Sequence, residues 1–141
     1  MTLIDANVLL DLFTADPRWK QWSREQLRAV LLAGGAAVNP IIYAEVSLAF
    51  AYPAELEAQL ASLNITKLPL PYEAAFSAGR AYLRYRRDGG ERRSPLPDFF
   101  IGAHAEFGRM PLLTRDPRRY RSYFPSVSLI SPAGNMQPED A

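Results

Sequence analysis

Thr2-Leu3-Ile4-Asp5-Ala6-Asn7-Val8-Leu9-Leu10-Asp11-Leu12-Phe13 runs from three strand-like residues through an acid into a longer apolar segment. Residues 2–4 read as a short buried strand ending at Asp5, and residues 7–13 as a helix. Further strands and helices follow along the chain, without an internal repeat. Asp16-Pro17 offers an acid as cap and a proline at the first helical position, so a helix is expected from there to about Ala33, stopped by Gly34-Gly35. Ala36-Ala37-Val38 reads as a second strand. Asn39-Pro40 opens a helix expected to reach about Ala51, and Pro53 begins another ending near Asn64. Residues 65–70 contain a third strand, closed by Pro69 and Pro71.

A long helix is expected from about Tyr72 to Arg87. Its apolar stripe is Tyr72, Ala75, Phe76, Gly79, Tyr82 and Leu83, at helical spacing; Arg80, Arg84 and Arg87 share a different face. Residues 89–97 form a basic loop. Asp98 begins a helix to about Phe107, Leu112-Leu113 is a fourth strand ending at Thr114-Arg115-Asp116, and a short helix follows Pro117. Residues 127–130 make a fifth strand. Short apolar strands alternating with helices indicate a parallel sheet covered on both faces. Residues 1–131 are expected to form one domain, and the polar residues 132–141 a frayed tail.

Composition narrows the chemistry. The chain has 141 residues, of which 48% are hydrophobic, enough for a core at this length. It has no cysteine, which excludes disulfides and thiolate metal sites. Asp5 and Asp11 interrupt the apolar start and no basic segment precedes it, so no secretory leader is expected, and no run is long enough to span a membrane. A cytoplasmic protein is the expectation. The formal net charge of +1 hides an asymmetry. Residues 1–79 carry five bases against eight acids, whereas residues 80–121 carry eleven arginines against five acids. Arginine's planar fork suits phosphate. A basic segment in a near-neutral chain points to an anionic partner, nucleic acid first, with a solvated helix face as the plain alternative.

Four carboxylates stand where a core-building sequence would not put them. Asp5 follows an apolar strand, and Glu45 lies among Ile42, Val46 and Ala49. Asp98 is flanked by Leu96, Phe99 and Phe100, and Asp116 ends the Leu112-Leu113 strand. In parallel α/β sheets, ligands bind outside the carboxyl ends of the strands, where Asp5 and Asp116 fall. A half-buried carboxylate is costly unless paired or metal-bound, and converging carboxylates raise each other's pKa. A divalent cation relieves both costs, and magnesium or manganese prefers oxygen ligands. Such an ion activates water and stabilises charge on an attacked phosphodiester. Taken singly, Asp5, Asp98 and Asp116 also read as helix caps; Glu45, in mid-helix, does not. Together the four favour a metal site. Asn7 either orients Asp5 or a metal-bound water, or satisfies backbone. Thr114 either donates to a neighbouring carboxylate or is simply a strand residue. His104 reads as packed or exposed rather than catalytic. Asp11, Asp16, Glu55, Glu57, Glu73, Glu91 and Glu106 read as surface or capping acids. Arg86, Arg87, Arg92, Arg93 and Arg115 are the candidates for contact with a nucleic-acid partner.

The pieces Leu3-Ile4-Asp5-Ala6-Asn7-Val8-Leu9, Asn39-Pro40-Ile41-Ile42-Tyr43-Ala44-Glu45, Leu96-Pro97-Asp98-Phe99-Phe100-Ile101-Gly102-Ala103-His104-Ala105 and Leu112-Leu113-Thr114-Arg115-Asp116 occur in this order. Together they resemble the PIN domain, and within it the VapC-type toxins of VapBC toxin–antitoxin pairs. The resemblance implies a three-layer α/β/α sandwich around a central, mostly parallel five-stranded sheet. It implies an acidic pocket of Asp5, Glu45, Asp98 and Asp116 supported by Asn7 and Thr114. It also implies Mg²⁺ or Mn²⁺, endonucleolytic cleavage of RNA such as tRNA or ribosomal RNA, a homodimer, and a VapB-type antitoxin. PIN domains also serve in RNA processing, and a non-catalytic RNA-binding module is a further alternative. A magnesium phosphatase with an aspartyl nucleophile fits less well, because Asn7 stands where its second acid would. A phosphoacceptor signalling domain fits less well too, lacking the paired acid after the first strand and the lysine after the last strands.

Overall fold

The structure is a computed structural model that describes residues 1–90 and 96–132. Strand β1 (Thr2–Ile4) leads directly into helix α1 (Ala6–Phe13), followed by α2 (Lys20–Ala33), β2 (Ala36–Val38) and α3 (Pro40–Val46). Then come a 3-10 turn (Ser47–Ala49), α4 (Pro53–Ser62), β3 (Ile65–Lys67), α5 (Tyr72–Arg87) and α6 (Leu96–Gly108). The described chain closes with β4 (Leu112–Leu113), α7 (Arg118–Tyr123) and β5 (Leu129–Ile130).

The strands pair in the order β3-β2-β1-β4-β5, and every pair is parallel. This is the three-layer α/β/α arrangement expected. The three inner strands are buried along their whole length, which is why they read as unbroken apolar runs. β3 forms one edge and keeps Thr66 and Lys67 exposed, a charged edge that discourages pairing with another chain. From β1 the chain first builds outward through β2 and β3, then returns to add β4 and β5 on the other side. The crevice between the ends of β1 and β4 is therefore the topological switch point.

Three expectations are corrected. Helix α2 begins at Lys20, not at Asp16-Pro17. Asp16 instead caps a preceding turn, its Oδ1 accepting from the backbone N–H groups of Arg18 (2.8 Å) and Trp19 (2.9 Å). α3 stops at Val46, and after the 3-10 turn Phe50 is extended, with its ring edge-on to Phe13 at 5.2 Å. The buried face of α5 is Ala74, Ala78 and Ala81, whereas Tyr72 (91% exposed) and Phe76 (69%) face outward. Small residues let α5 approach α6 closely, and aromatic rings of both helices fill the space beside them. Phe99 there meets Tyr82, Tyr85, Tyr123 and Phe124 with centroids 5.3–5.9 Å apart. The helix has no spare room at Gly102 either, because a methyl group there would collide with the Phe124 ring. Phe99 and Gly102 thus fix α7 against α6, one residue from Asp98.

Candidate metal centre

Asp5 sits at the switch point, its backbone N–H donating to the Leu113 carbonyl at 2.9 Å. It occupies the N-cap position of α1 with extended backbone, yet its side chain makes no capping bond. The carboxylate turns inward, and its Oδ2 accepts from the Thr114 hydroxyl and the Tyr120 hydroxyl, both at 2.9 Å. Asn7 joins this arrangement weakly, its Nδ2 lying 3.4 Å from Thr114 Oγ1. Burial raises the Asp5 pKa to about 6, with the nearby Asp98 charge adding to the shift and the two hydroxyls opposing it.

Glu45 reaches the same region from α3. Asn39 starts that helix, its Oδ1 accepting from the Ile42 N–H at 2.9 Å with Pro40 in the first turn. Oε1 of Glu45 is buried and, among the described residues, has no hydrogen-bond partner. Burial, then Asp5, then Asp98 raise its pKa to about 7.

Asp98 lies in the first turn of α6, where a negative charge is favoured by the helix dipole. Arg119 of α7 donates from Nη1 to its Oδ2 at 2.5 Å. Burial nevertheless leaves its pKa raised, with Arg119 opposing and Asp116 reinforcing the shift. Asp116 stands at the rim with a 62% exposed side chain, and it forms an exposed ion pair with Arg118 at 3.7 Å. The structure thus brings Asp5, Glu45 and Asp98 within electrostatic reach of one another, and Asp116 at the rim within reach of Asp98 alone.

This donor set fits a divalent cation. It is all oxygen, short of positive charge, and contains an orphaned buried carboxylate oxygen. Among the described residues, no three acidic or histidine side chains are already grouped as ligands. Arg119 holds Asp98 in this state, so binding an ion requires side-chain adjustment.

The other candidates fall elsewhere. Arg115 does not face the acids: its Nε binds Asp11 Oδ1 (3.2 Å) and Oδ2 (2.9 Å), and its guanidinium lies over Trp19 at 5.5 Å. Asp11 is accordingly not a surface acid but a buried one, also bonded to Ser23 Oγ at 2.7 Å. Arg86 and Arg87 are exposed at the C-terminal turn of α5. That turn is tied to α7 by a 2.7 Å bond from the Tyr123 hydroxyl to Asp88, which places it on the flank of the acids. Arg92 and Arg93 lie outside the described residues. His104 is packed, its Nδ1 3.0 Å from Asn39 Nδ2, and burial lowers its pKa. Because Asn39 Oδ1 is occupied as an acceptor, its amide nitrogen donates and the imidazole is neutral. Sequence reading missed Tyr120 and Arg119. Their signal is position: both lie within four residues of Asp116, just after the strand that ends in the crevice.

Fold and site together define a parallel α/β protein with a carboxylate-lined crevice at its switch point. Residues 2–124 match the model of the PIN domain, and the chain belongs to that family. No match is found among curated proteins. Among solved structures, a VapBC2 complex from Rickettsia felis, bound to a DNA fragment from its promoter, is similar with a TM-score of 0.70 at 14% identity. That match covers 92% of this chain and 97% of the other. A toxin–antitoxin complex from Klebsiella pneumoniae has a TM-score of 0.62 at 24% identity, covering 98% of each chain. DNA-bound VapBC from Salmonella typhimurium has a TM-score of 0.67 at 18% identity, covering 93% of this chain and 98% of the other.

Proposed function

We propose that this chain is a Mg²⁺- or Mn²⁺-dependent endoribonuclease and the toxin of a VapBC-type pair. The observation that carries the reading is the unpartnered, buried Oε1 of Glu45 within charge reach of Asp5 and Asp98. Asp5, Glu45 and Asp98 would hold the ion, with Asp116 at the rim. When bound, the ion activates a water and neutralises charge developing on the scissile phosphate. The chain's own groups do the rest. Thr114 and Tyr120 orient Asp5, and Asn7 supports Thr114.

Arg86 and Arg87, with Arg92 and Arg93, are proposed to hold the RNA backbone at the flank. Phosphate contacts of this kind position a strand without reading its sequence. An antitoxin partner is supported by an apolar groove of about 570 Å³ lined by Leu12, Phe13, Leu27 and Leu31 and rimmed by Lys20, Arg24 and Arg28. That surface suits an apolar segment carrying acidic residues. A homodimer is supported by the outward-facing Tyr72 and Phe76 of α5. Among the described residues no helix is long and apolar enough to cross a membrane, and we place the protein in the cytoplasm with its RNA.

The test is cleavage of RNA by purified protein with Mg²⁺ or Mn²⁺, with EDTA, and with Asp5→Asn. Cleavage that needs the metal and Asp5 supports the nuclease. RNA binding without metal-dependent cleavage would replace it with a non-catalytic RNA-binding module.

A further inference from the structure

We infer that Tyr120 is a positioning residue of the metal centre: its buried hydroxyl holds the Asp5 carboxylate turned so that Oδ1 faces the cation. The inference rests on the metal-centre reading above and adds a residue to it.

Tyr120 is 1% exposed, and its ring is part of the core. It is held there by α7, whose end is fixed where Phe124 packs over Gly102. The hydroxyls of Tyr120 and Thr114 both land on Oδ2 of Asp5. Among the described residues no side-chain donor reaches Oδ1. Oδ2 is therefore saturated by side chains, while the carboxylate's further contact is the Ala6 backbone N–H, which leaves Oδ1 free of side-chain competitors for a cation.

The choice of donor has a physical reason. A lysine or arginine in this place would neutralise Asp5 and compete with a metal ion. A phenol orients the carboxylate and leaves its charge intact. The same hydroxyl also lies within hydrogen-bond reach of Asp98, so it sits between two of the proposed ligands. The plain alternative is a core tyrosine whose hydroxyl happens to be satisfied. The two differ in what removal of the hydroxyl does to metal binding.

The experiment compares the full-length wild-type and Tyr120→Phe chains. Phenylalanine keeps the ring and removes only the donor. Mn²⁺ affinity is read from the spin-resonance signal of free Mn²⁺, and thermal melting is recorded without metal. Mn²⁺ binding should weaken about tenfold or more, the scale expected for loss of an outer-shell partner. Equal affinities in the two chains would overturn the role of Tyr120 and leave the metal centre standing. Failure of the wild-type chain to bind Mn²⁺ would overturn both. Should Tyr120→Phe not fold, 3-fluorotyrosine placed at position 120 of the otherwise unchanged chain supplies the answer. Stoichiometric Mn²⁺ should broaden its fluorine resonance beyond detection, and a line that stays sharp would refute the inference.

Discussion

Asp5 and Asp11 lie six residues apart at the two ends of α1, both nearly inaccessible at 5% and 2% exposure, and they are solved in opposite ways. Asp11 receives a full cation: Arg115 binds both of its oxygens, Trp19 backs the guanidinium, and Ser23 adds a hydroxyl. Asp5 receives two neutral hydroxyls and, in place of a cation, a second carboxylate nearby. The first arrangement is closed and serves stability. The second is left with excess negative charge, which is the signature of a site awaiting a positive ligand. Burial alone does not mark a functional acid; the balance between buried charges and available donors does.

The most severe way to break this contrast is Asp5→Asn. Metal-dependent cleavage should fall by more than the roughly 10–100-fold that an outer-shell loss costs. Metal-free melting should not fall, because a charge that resists burial has been removed. Asp11→Asn should do the reverse. Leaving Arg115 half-buried without its partner costs about 3 kcal/mol, read by denaturant unfolding, while cleavage per folded molecule stays unchanged.

A pH series sharpens the same point. Asp5 goes from 3.8 to about 6 on folding and Glu45 from 4.5 to about 7. Between about pH 4 and 7 the native state therefore holds protons that the unfolded chain has lost, so these acids make stability fall as pH rises through that window. Melting temperature of the metal-free protein should drop across it, and saturating Mn²⁺ should remove most of the drop. The smallest effect concerns the flank. Arg86→Ala with Arg87→Ala should weaken RNA binding and lower the salt slope by about 0.7 for each single-strand phosphate that the variant no longer neutralises. Melting should be unaffected.

Much of this was legible in the sequence because the strands are short, the inner ones are almost wholly apolar, and glycine or proline stands beside several of them. The four acids were legible because each interrupts an apolar context. What was not legible depends on distant partners or on volume. Asp11 looked like a surface acid because the arginine that buries it is 104 residues away. Tyr120 was passed over because its acceptor is 115 residues distant. The stripe on α5 was right at Tyr82 but wrong at Tyr72, Phe76 and Leu83, which are exposed, because large apolar residues outweigh alanines in any apolar count. Packing buried the alanines at the centre of the contact and set the α5 tyrosines Tyr82 and Tyr85 around Phe99 of α6. Asp16-Pro17 gave a true turn signal, but one short of the helix by a turn.

The central claim is that Asp5, Glu45 and Asp98 converge on one divalent ion. A crystal structure of the protein soaked in Mn²⁺ addresses it directly through the metal's anomalous signal. The account predicts an ion at the end of β1 coordinated by oxygens of these three side chains, with Arg119 moved off Asp98. An ion bound elsewhere, or an empty crevice with Arg119 still on Asp98 at saturating Mn²⁺, would contradict it.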